Sequence, residues 1–151
     1  MENENTDERF YDMKELAMMS GMTDRTLRTY ITMGLLKGEK VSGSWRFSPR
    51  EVERFFEEPW MREAMKTKRS SIVFDFLSDP SDRGERICVM VDRPSDRADS
   101  SEISAFFCES MQEVEDAVMR CDWEKGRTRI VLSGSRKAVG YIMKAYGEME
   151  K

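Results

Sequence analysis

Cationic side chains gather in one segment of a chain whose formal net charge is −4. Between Met13 and Arg50, seven Lys and Arg residues stand against three carboxylates, which gives this segment a net charge of +4. Arg25 and Arg28 are three residues apart, so in a helix they share one face. Guanidinium groups match the geometry of phosphate oxygens. A locally basic face on an acidic chain is typical of a segment that binds a polyanion.

Other reactive side chains are few. The chain has no histidine, the commonest metal ligand and general base in proteins. Its three cysteines, Cys88, Cys108 and Cys121, are far apart and form no CxxC pair, so we expect small buried side chains in a reducing compartment. A zinc site would need thiolates at close spacing. We therefore expect no enzymatic activity, no metal site and no cofactor.

The composition is that of a soluble globular protein, with 39% hydrophobic and 36% charged residues in a chain of 151. No apolar run approaches the roughly 18–20 residues that cross a bilayer. The acidic start, Met1–Asn5, lacks the basic and apolar regions of a signal peptide. We expect a cytoplasmic protein with no membrane contact, and a disordered lead-in over residues 1–10.

Two short helices are predicted to carry the basic face. Asp12 is an N-cap candidate, and Glu15 three residues on completes the capping-box pattern. Gly21 ends that helix, and Thr23 is the next N-cap candidate. The second helix ends before Gly34, which suits the left-handed position that follows a helix. Two short helices joined by a glycine-containing turn form a helix-turn-helix unit.

A hairpin and further helices are predicted next. Residues 35–47 are apolar at both ends and rich in Gly and Ser in the middle, as in a short hairpin, or wing. Ser48 can cap the following helix, and Pro49 suits its first position. The buried face of that helix is predicted to be Val52, Phe55 and Phe56. Another short helix is expected from Trp60 to about Thr67.

The polar, basic stretch at residues 68–70 is interpreted as a linker between a first domain, 11–67, and a second, 71–151. The second domain is predicted to begin with two strands, Ser71–Leu77 and Arg86–Asp92. A loop over Pro94–Ser100 separates them from the helix that follows.

Helical spacing of apolar residues predicts one helix from Ser101 to about Val118. An alternative interpretation places a strand at Ile103–Cys108 and starts the helix at Ser110. Alternating runs at Val118–Trp123 and Arg127–Ser133 predict a hairpin, and a last helix follows it. The fold class is therefore α+β: a winged helix-turn-helix followed by a small two-layer domain of order ββαββα with a mostly antiparallel sheet.

The segment Tyr11–Phe56 resembles the MerR-type and excisionase-type winged helix-turn-helix family. The stretches that carry the resemblance are, in order, Met13–Ala17, Ser20–Thr23, Arg25–Tyr30, Gly34–Leu36, Trp45–Ser48, and Val52 with Phe55. A single stretch such as Thr-Leu-Arg would carry no weight, whereas several in a fixed order do.

The resemblance implies binding to double-stranded DNA. In that family the second helix lies in the major groove, and the wing reaches the phosphates beside it. With Leu27 and Ile31 turned toward the core, the residues that point outward are Asp24, Arg25, Arg28 and Thr29. Thr23 at the cap leaves backbone N–H groups facing an incoming phosphate.

Further contacts are implied by the family. Arg28 is expected to contact a phosphate or a base, Tyr30 a phosphate, and Arg46 the DNA beside the wing, while Lys40 holds a position that is usually basic. The plain structural alternatives are an exposed helix charge for Arg28 and a core position for Tyr30. The predicted DNA-binding set is Thr23, Asp24, Arg25, Arg28, Thr29, Tyr30, Lys40 and Arg46.

The chain departs from the family in three respects. Thr29 stands where many members have an aromatic residue. The end of the wing is the shorter, excisionase-like form. The long dimerising coiled-coil helix of MerR-type activators is absent, because residues 56–70 contain Pro59 and no sustained heptads. The promoter-twisting mechanism of those activators is therefore not implied.

The second domain matches no recognised motif, and three roles stay open. It can dimerise the protein, since one small winged module buries little surface for specific DNA binding. It can bind a small-molecule effector in a pocket lined by Trp123, Phe74, Phe76 and Tyr141, although ordinary core positions would explain the same residues. It can also bind a protein partner.

These observations predict a bacterial-type, MerR-like DNA-binding transcriptional regulator that acts as a homodimer, with a C-terminal association or sensor domain. One alternative is an excisionase-like architectural factor that bends DNA for recombination. Another is a protein-interaction adaptor that keeps the winged scaffold without contacting DNA.

Overall fold

The computed structural model describes residues 9–78, 84–124 and 126–149. The helices are α1 (Met13–Ser20), α2 (Asp24–Met33), α3 (Pro49–Glu57), α4 (Pro59–Ser78), α5 (Arg97–Met111) and α6 (Arg136–Gly147). The strands are β1 (Tyr11–Asp12), β2 (Glu39–Val41), β3 (Ser44–Phe47), β4 (Arg86–Pro94), β5 (Ala117–Glu124) and β6 (Arg127–Ser135). The predicted α+β class with antiparallel sheets is confirmed. Of the expected lead-in, residues 1–8 lie outside the described residues.

Local capping fixes the first two helices where the sequence predicts them. The Asp12 carboxylate accepts the backbone N–H of Glu15, and the Glu15 carboxylate accepts that of Asp12, which completes a capping box. Gly21 ends α1 with a φ of +74°. Thr23 starts α2 by accepting a backbone N–H of its first turn, and Gly34 ends it with a φ of +81°. These signals depend on neighbouring residues only, so the sequence is enough to place them.

A small sheet supports the helix-turn-helix. Its strand order is β1-β3-β2, and β2 with β3 forms the predicted hairpin. Ser48 caps α3 directly after this hairpin. Val52, Phe55 and Phe56 of α3 are buried, as predicted.

The second sheet has the order β4-β6-β5 and is antiparallel throughout. Helices cover both faces of this sheet. Successive residues of a strand point to opposite faces, so neighbouring residues of β5 contact different helices. On β5, Asp122 bonds to Arg69 of α4, while Trp123 donates to Ser104 of α5. The sheet is therefore held between α4 on one side and α5 on the other, so the predicted two-layer arrangement is wrong and this part of the chain has three layers.

The predicted strand at Ser71–Leu77 is wrong, because these residues form the second half of α4. Residues 68–70, predicted to be a linker, are helical in the same element. The buried residues of α4 are Met61, Met65 and Ile72, which fall at helical spacing on one side. The β-branched and aromatic residues favour a strand only weakly, and packing of that side decides the conformation. The predicted helix at Trp60–Thr67 is the first half of α4.

Helix α5 begins and ends earlier than predicted. It starts at Arg97 inside the predicted loop, where Asp96 and Asp99 form a capping box. It ends at Met111, and Val118 lies in β5. The alternative strand at Ile103–Cys108 is wrong as well. Since β4 is preceded by α4, the order of the second half is βαββα instead of ββαββα.

Side chains from both predicted domains form one hydrophobic core. It contains Tyr11 and Phe56 from the first half and Phe107 and Trp123 from the second. The Tyr11 hydroxyl donates to the carbonyl oxygen of Ser101 at 2.8 Å. Helices α1 and α3 pack directly on β5. The helix-turn-helix is therefore packed directly against the second sheet.

Two of the cysteines occupy this core. Cys108 and Cys121 are buried, Cys88 is half-buried, and all three are free thiols. Burial raises the pKa of the Cys121 thiol to about 12, so the unreactive protonated form is dominant near neutral pH.

No helix in the described ranges is long and apolar enough to span a membrane.

The aromatic residues proposed for an effector pocket do not lie together. Trp123 is 2% exposed in the core, whereas Phe74 on α4 and Tyr141 on α6 are 67% and 52% exposed. Phe74 lines a groove between α4 and β4 that Phe76, Trp123 and Tyr141 do not line. The predicted four-residue pocket is therefore wrong.

Candidate nucleic-acid interface

Helix α2 turns its polar side to solvent. Leu27 is fully buried and Ile31 is half-buried against the core. Four of the predicted residues lie on the exposed side of this helix: Asp24, Arg25, Arg28 and Thr29. Thr23 precedes them at the N-cap, where its hydroxyl oxygen accepts the Thr26 N–H at 3.0 Å.

The guanidinium groups of α2 are accessible to a ligand. Arg28 pairs with Asp24 one turn back at 2.7 Å, and each side chain is 56% exposed. Exposed pairs of this kind contribute about 0–1 kcal/mol, so a phosphate can replace Asp24 at little cost. Arg25 makes no ion pair within the part of the chain that the structure describes. Thr29 donates its hydroxyl to the Arg25 carbonyl oxygen, so this side chain lies flat along the helix.

Tyr30 attaches α2 to the next helices. Its half-buried ring meets Trp60 edge-on at 5.0 Å between centroids and lies 6.1 Å from Phe55. Aromatic pairs at such separations stabilise by about 0.5–1.5 kcal/mol beyond area burial. The ring of Tyr30 therefore packs against the core, as the structural alternative for this residue expected. A phosphate contact by the Tyr30 hydroxyl stays a prediction.

The hairpin carries its cations on aromatic rings. The Lys40 ammonium lies 5.6 Å from the Trp45 ring centroid, and the Arg46 guanidinium lies 5.0 Å from that of Phe10. Both cations are exposed. Stacking on a ring limits the directions in which each charge can point, so the hairpin presents them in defined positions.

Two further cations lie near this surface and were not in the predicted set. Lys37 is exposed and lines a shallow depression together with Arg46 and Phe10. Lys68 of α4 donates to the carbonyl oxygen of Gly21 at 3.3 Å. Lys37 was already counted in the net charge of the basic segment. Lys68 was not considered, because residues 68–70 were interpreted as a linker.

The turn between α1 and α2 rests on the second sheet. A Cβ atom at Gly21 would overlap the guanidinium of Arg120, on β5. The Arg120 Nη1 donates to the Met119 carbonyl oxygen at 2.7 Å, and its buried Nε has no partner among the described residues. Burial lowers the pKa of Arg120. A side chain at Gly21 would therefore force the Arg120 guanidinium to shift and to give up this packing.

We expect Gly21→Ala to lower the free energy of unfolding by about 1 kcal/mol more than Gly43→Ala. Both glycines have positive φ, +74° and +85°, and a side chain there costs about 1–2 kcal/mol. Nothing lies within 4 Å of a Cβ at Gly43, so this variant controls for the backbone term. Urea denaturation measures the difference. Equal losses in the two variants would show that contact with Arg120 is unimportant.

The geometry defines a helix-turn-helix module with an exposed basic helix and an adjoining hairpin. Residues 11–55 match the model of the MerR HTH family regulatory proteins. The MerR-type resemblance inferred from the sequence is thus confirmed for this segment. At the level of that family, the match supports a DNA-binding regulator. No curated protein and no solved structure matches the chain.

Proposed function

We propose that the protein is a transcriptional regulator that binds duplex DNA through α2 and the β2–β3 hairpin. The observation that carries the proposal is the uncovered basic face of α2 in a segment that matches the MerR model. An α-helix fits the major groove, where residues near its N-terminus reach base edges. Arg25 and Arg28 lie within the first turns of α2. Because the face that carries them is exposed, these side chains do not pack in the core and are free to contact a ligand.

In this proposal the hairpin acts as a wing. Lys40 and Arg46 bind phosphates beside the groove, and Lys37 adds a third cation on the same side. The N-cap at Thr23 places the backbone N–H groups of the first turn of α2 toward a phosphate, favoured by the helix dipole. Phosphate contacts orient the protein, and base contacts from α2 supply sequence preference.

The rest of the chain serves association. A single module of this size buries too little surface for strong specific binding, so we propose a homodimer assembled through the part that follows α3. Two modules then read two half-sites on one side of the duplex, about one helical turn apart. Such a regulator acts in the cytoplasm.

We expect the double variant Arg28→Ala/Arg46→Ala to bind DNA about 10- to 100-fold more weakly while remaining folded. Each lost phosphate contact should also flatten the plot of log affinity against log salt by about 0.9. Fluorescence anisotropy measures both, with a mixed-sequence duplex and with a duplex selected from a random library. Both side chains are exposed, so circular dichroism should be unchanged.

The matched control is Arg136→Ala/Lys144→Ala. These cations lie on α6, with side chains 77% and 78% exposed, and their loss changes the net charge equally. We expect this control to bind DNA nearly as the parent does. An equal loss in both variants would indicate charge attraction without a defined site, and undiminished binding by the first variant would contradict the proposed interface.

A further inference from the structure

Strand β4 is an edge strand whose middle is apolar. The order β4-β6-β5 leaves its other side without a strand in the described part of the chain. Its centre, Ile87–Val91, is apolar without interruption, and charged residues or proline occur only toward its ends. Soluble proteins usually protect such an edge with a lysine, a proline or a bulge, because its free N–H and C=O groups recruit another strand. The opposite edge strand, β5, is instead covered by α1 and α3.

An apolar groove adjoins this edge. It lies between α4 and the β4–β6 pair and has a volume of about 580 Å³. Phe74 and Leu77 of α4 and Met90 of β4 line it and are 67%, 76% and 67% exposed. Three large apolar side chains together on a surface mark an interaction site more often than scattered ones do. The edge and the groove form one continuous surface, since Met90 belongs to both.

We propose that this surface binds a second copy of the chain, with β4 pairing antiparallel to β4 of that copy around a two-fold axis at Val89. A residue and its partner across such a pair lie on the same face of the joined sheet. The register then places Arg86 opposite Asp92 of the second copy. It also places Ile87 opposite Val91, and Cys88 opposite Met90.

From Arg86 to Asp92, this register places opposite charges across from each other and apolar residues across from apolar residues. Moving the axis to Met90 would place Cys88 opposite Asp92 and Ile87 opposite Arg93. Strand pairs with opposite charges are favourable, whereas a charge opposite an apolar residue loses part of its hydration. Arg86 and Asp92 already pair with Asp116 and Arg127, each at 2.8 Å. Asp92 also lies 3.5 Å from Arg129. At the interface, these surface pairs join into one network.

The two-fold axis also explains the groove. A sheet extended by β4–β4 pairing keeps its faces, so α4 of both copies lies on the same side. Phe74 and Leu77 of each copy then face the groove of the other across the axis. This arrangement is isologous, as in most homodimers. It gives the proposed homodimer a surface, and it does not depend on DNA binding.

The first test is the assembly state of Met90→Lys without DNA. A lysine in the middle of an edge strand blocks pairing because its ammonium would be buried at the joint. Met90 is 67% exposed in the single chain, so the fold should be unaffected. Analytical ultracentrifugation should find a dimer for the parent and at least about 100-fold weaker association for the variant. The matched control Tyr141→Lys, at another exposed apolar position, should remain dimeric.

The second test measures the register. With Met90→Cys, the introduced thiol lies opposite Cys88 of the second copy, within the reach of a disulfide. Mild oxidation should yield a covalent dimer whose cross-linked peptide joins positions 88 and 90. Adding Cys88→Ser should abolish this cross-link.

Three outcomes would overturn the proposal: a parent that stays monomeric, a dimer that tolerates Met90→Lys, or a cross-link that joins two positions 90. The last would place the axis at Met90. Loss of DNA binding by a protein that still dimerises would count against the proposed function only.

Discussion

Arg69→Met is expected to lower the free energy of unfolding by about 3–5 kcal/mol. Arg69 of α4 donates to Asp122 of β5 at 2.5 Å, and the two side chains are only 16% and 4% exposed. Burial raises the pKa of Asp122, and the neighbouring Arg69 charge opposes that rise. Removing the cation leaves a buried carboxylate without its compensating charge, and such a group is costly.

The loss should depend on pH. A carboxyl group with a raised pKa in the folded state destabilises the fold as pH rises above its pKa in the unfolded chain, about 3.9. Without Arg69 that pKa rises further. The difference between Arg69→Met and the parent should therefore be larger at pH 7 than at pH 4, which urea denaturation at both pH values measures.

Two variants separate the buried charge from other effects. Adding Asp122→Asn to Arg69→Met removes the unpaired charge, and we expect more than half of the lost stability to return. Arg127→Met breaks the exposed pair with Asp92, whose side chains are 40% and 51% exposed. Its cost should stay below about 1 kcal/mol. A similarly small cost for Arg69→Met would show that water reaches Asp122.

Trp123→Ala should destabilise the helix-turn-helix although it lies in the second half of the chain. The indole is 2% exposed, and its ring centroid lies 6.1 Å from Tyr11 and 6.5 Å from Phe56. Its N–H donates to Ser104 at 2.6 Å. Emptying this site should cost about 3–5 kcal/mol. Because the ring touches both halves, we expect residues 11–57 and the second sheet to unfold in one transition.

Hydrogen exchange and urea denaturation together test this expectation. In Trp123→Ala, exchange should accelerate equally in α1 to α3 and in β5 and β6. Trp123→Phe keeps a ring in the site and loses only the donor, so its cost should be smaller. If α1 to α3 kept the parent's protection in the alanine variant, the two halves would unfold independently of each other.

Features set by neighbouring residues were predictable from the sequence. The capping residues Asp12, Thr23 and Ser48 and the left-handed positions Gly21 and Gly34 each act within one turn of the chain. They fix α1, α2 and the start of α3, and the hairpin follows from Gly and Ser between apolar ends. The outward face of α2 needed only the helical period and the buried side chain of Leu27.

Features set by distant contacts were not predictable. Residues 71–77 have strand propensity, yet Ile72 is buried on the same side of α4 as Met61 and Met65. The helix predicted from Ser101 begins at Arg97 instead, and its capping box, Asp96 with Asp99, is a local signal that the prediction of a loop at 94–100 overlooked. The buried pair of Arg69 and Asp122 joins residues 53 positions apart, and sequence spacing does not reveal such partners.

The sequence by itself therefore determined the helix-turn-helix unit: its caps, its turn, its hairpin and the polarity of α2. Tertiary structure alone decided that both halves share a core, that β4 lies at an open edge, and that Arg69 is a buried partner. The physical reason is the distance along the chain over which the stabilising interactions act. A cap or a turn gains its free energy from atoms a few residues away, whereas strand order and burial depend on which distant surfaces exclude water together.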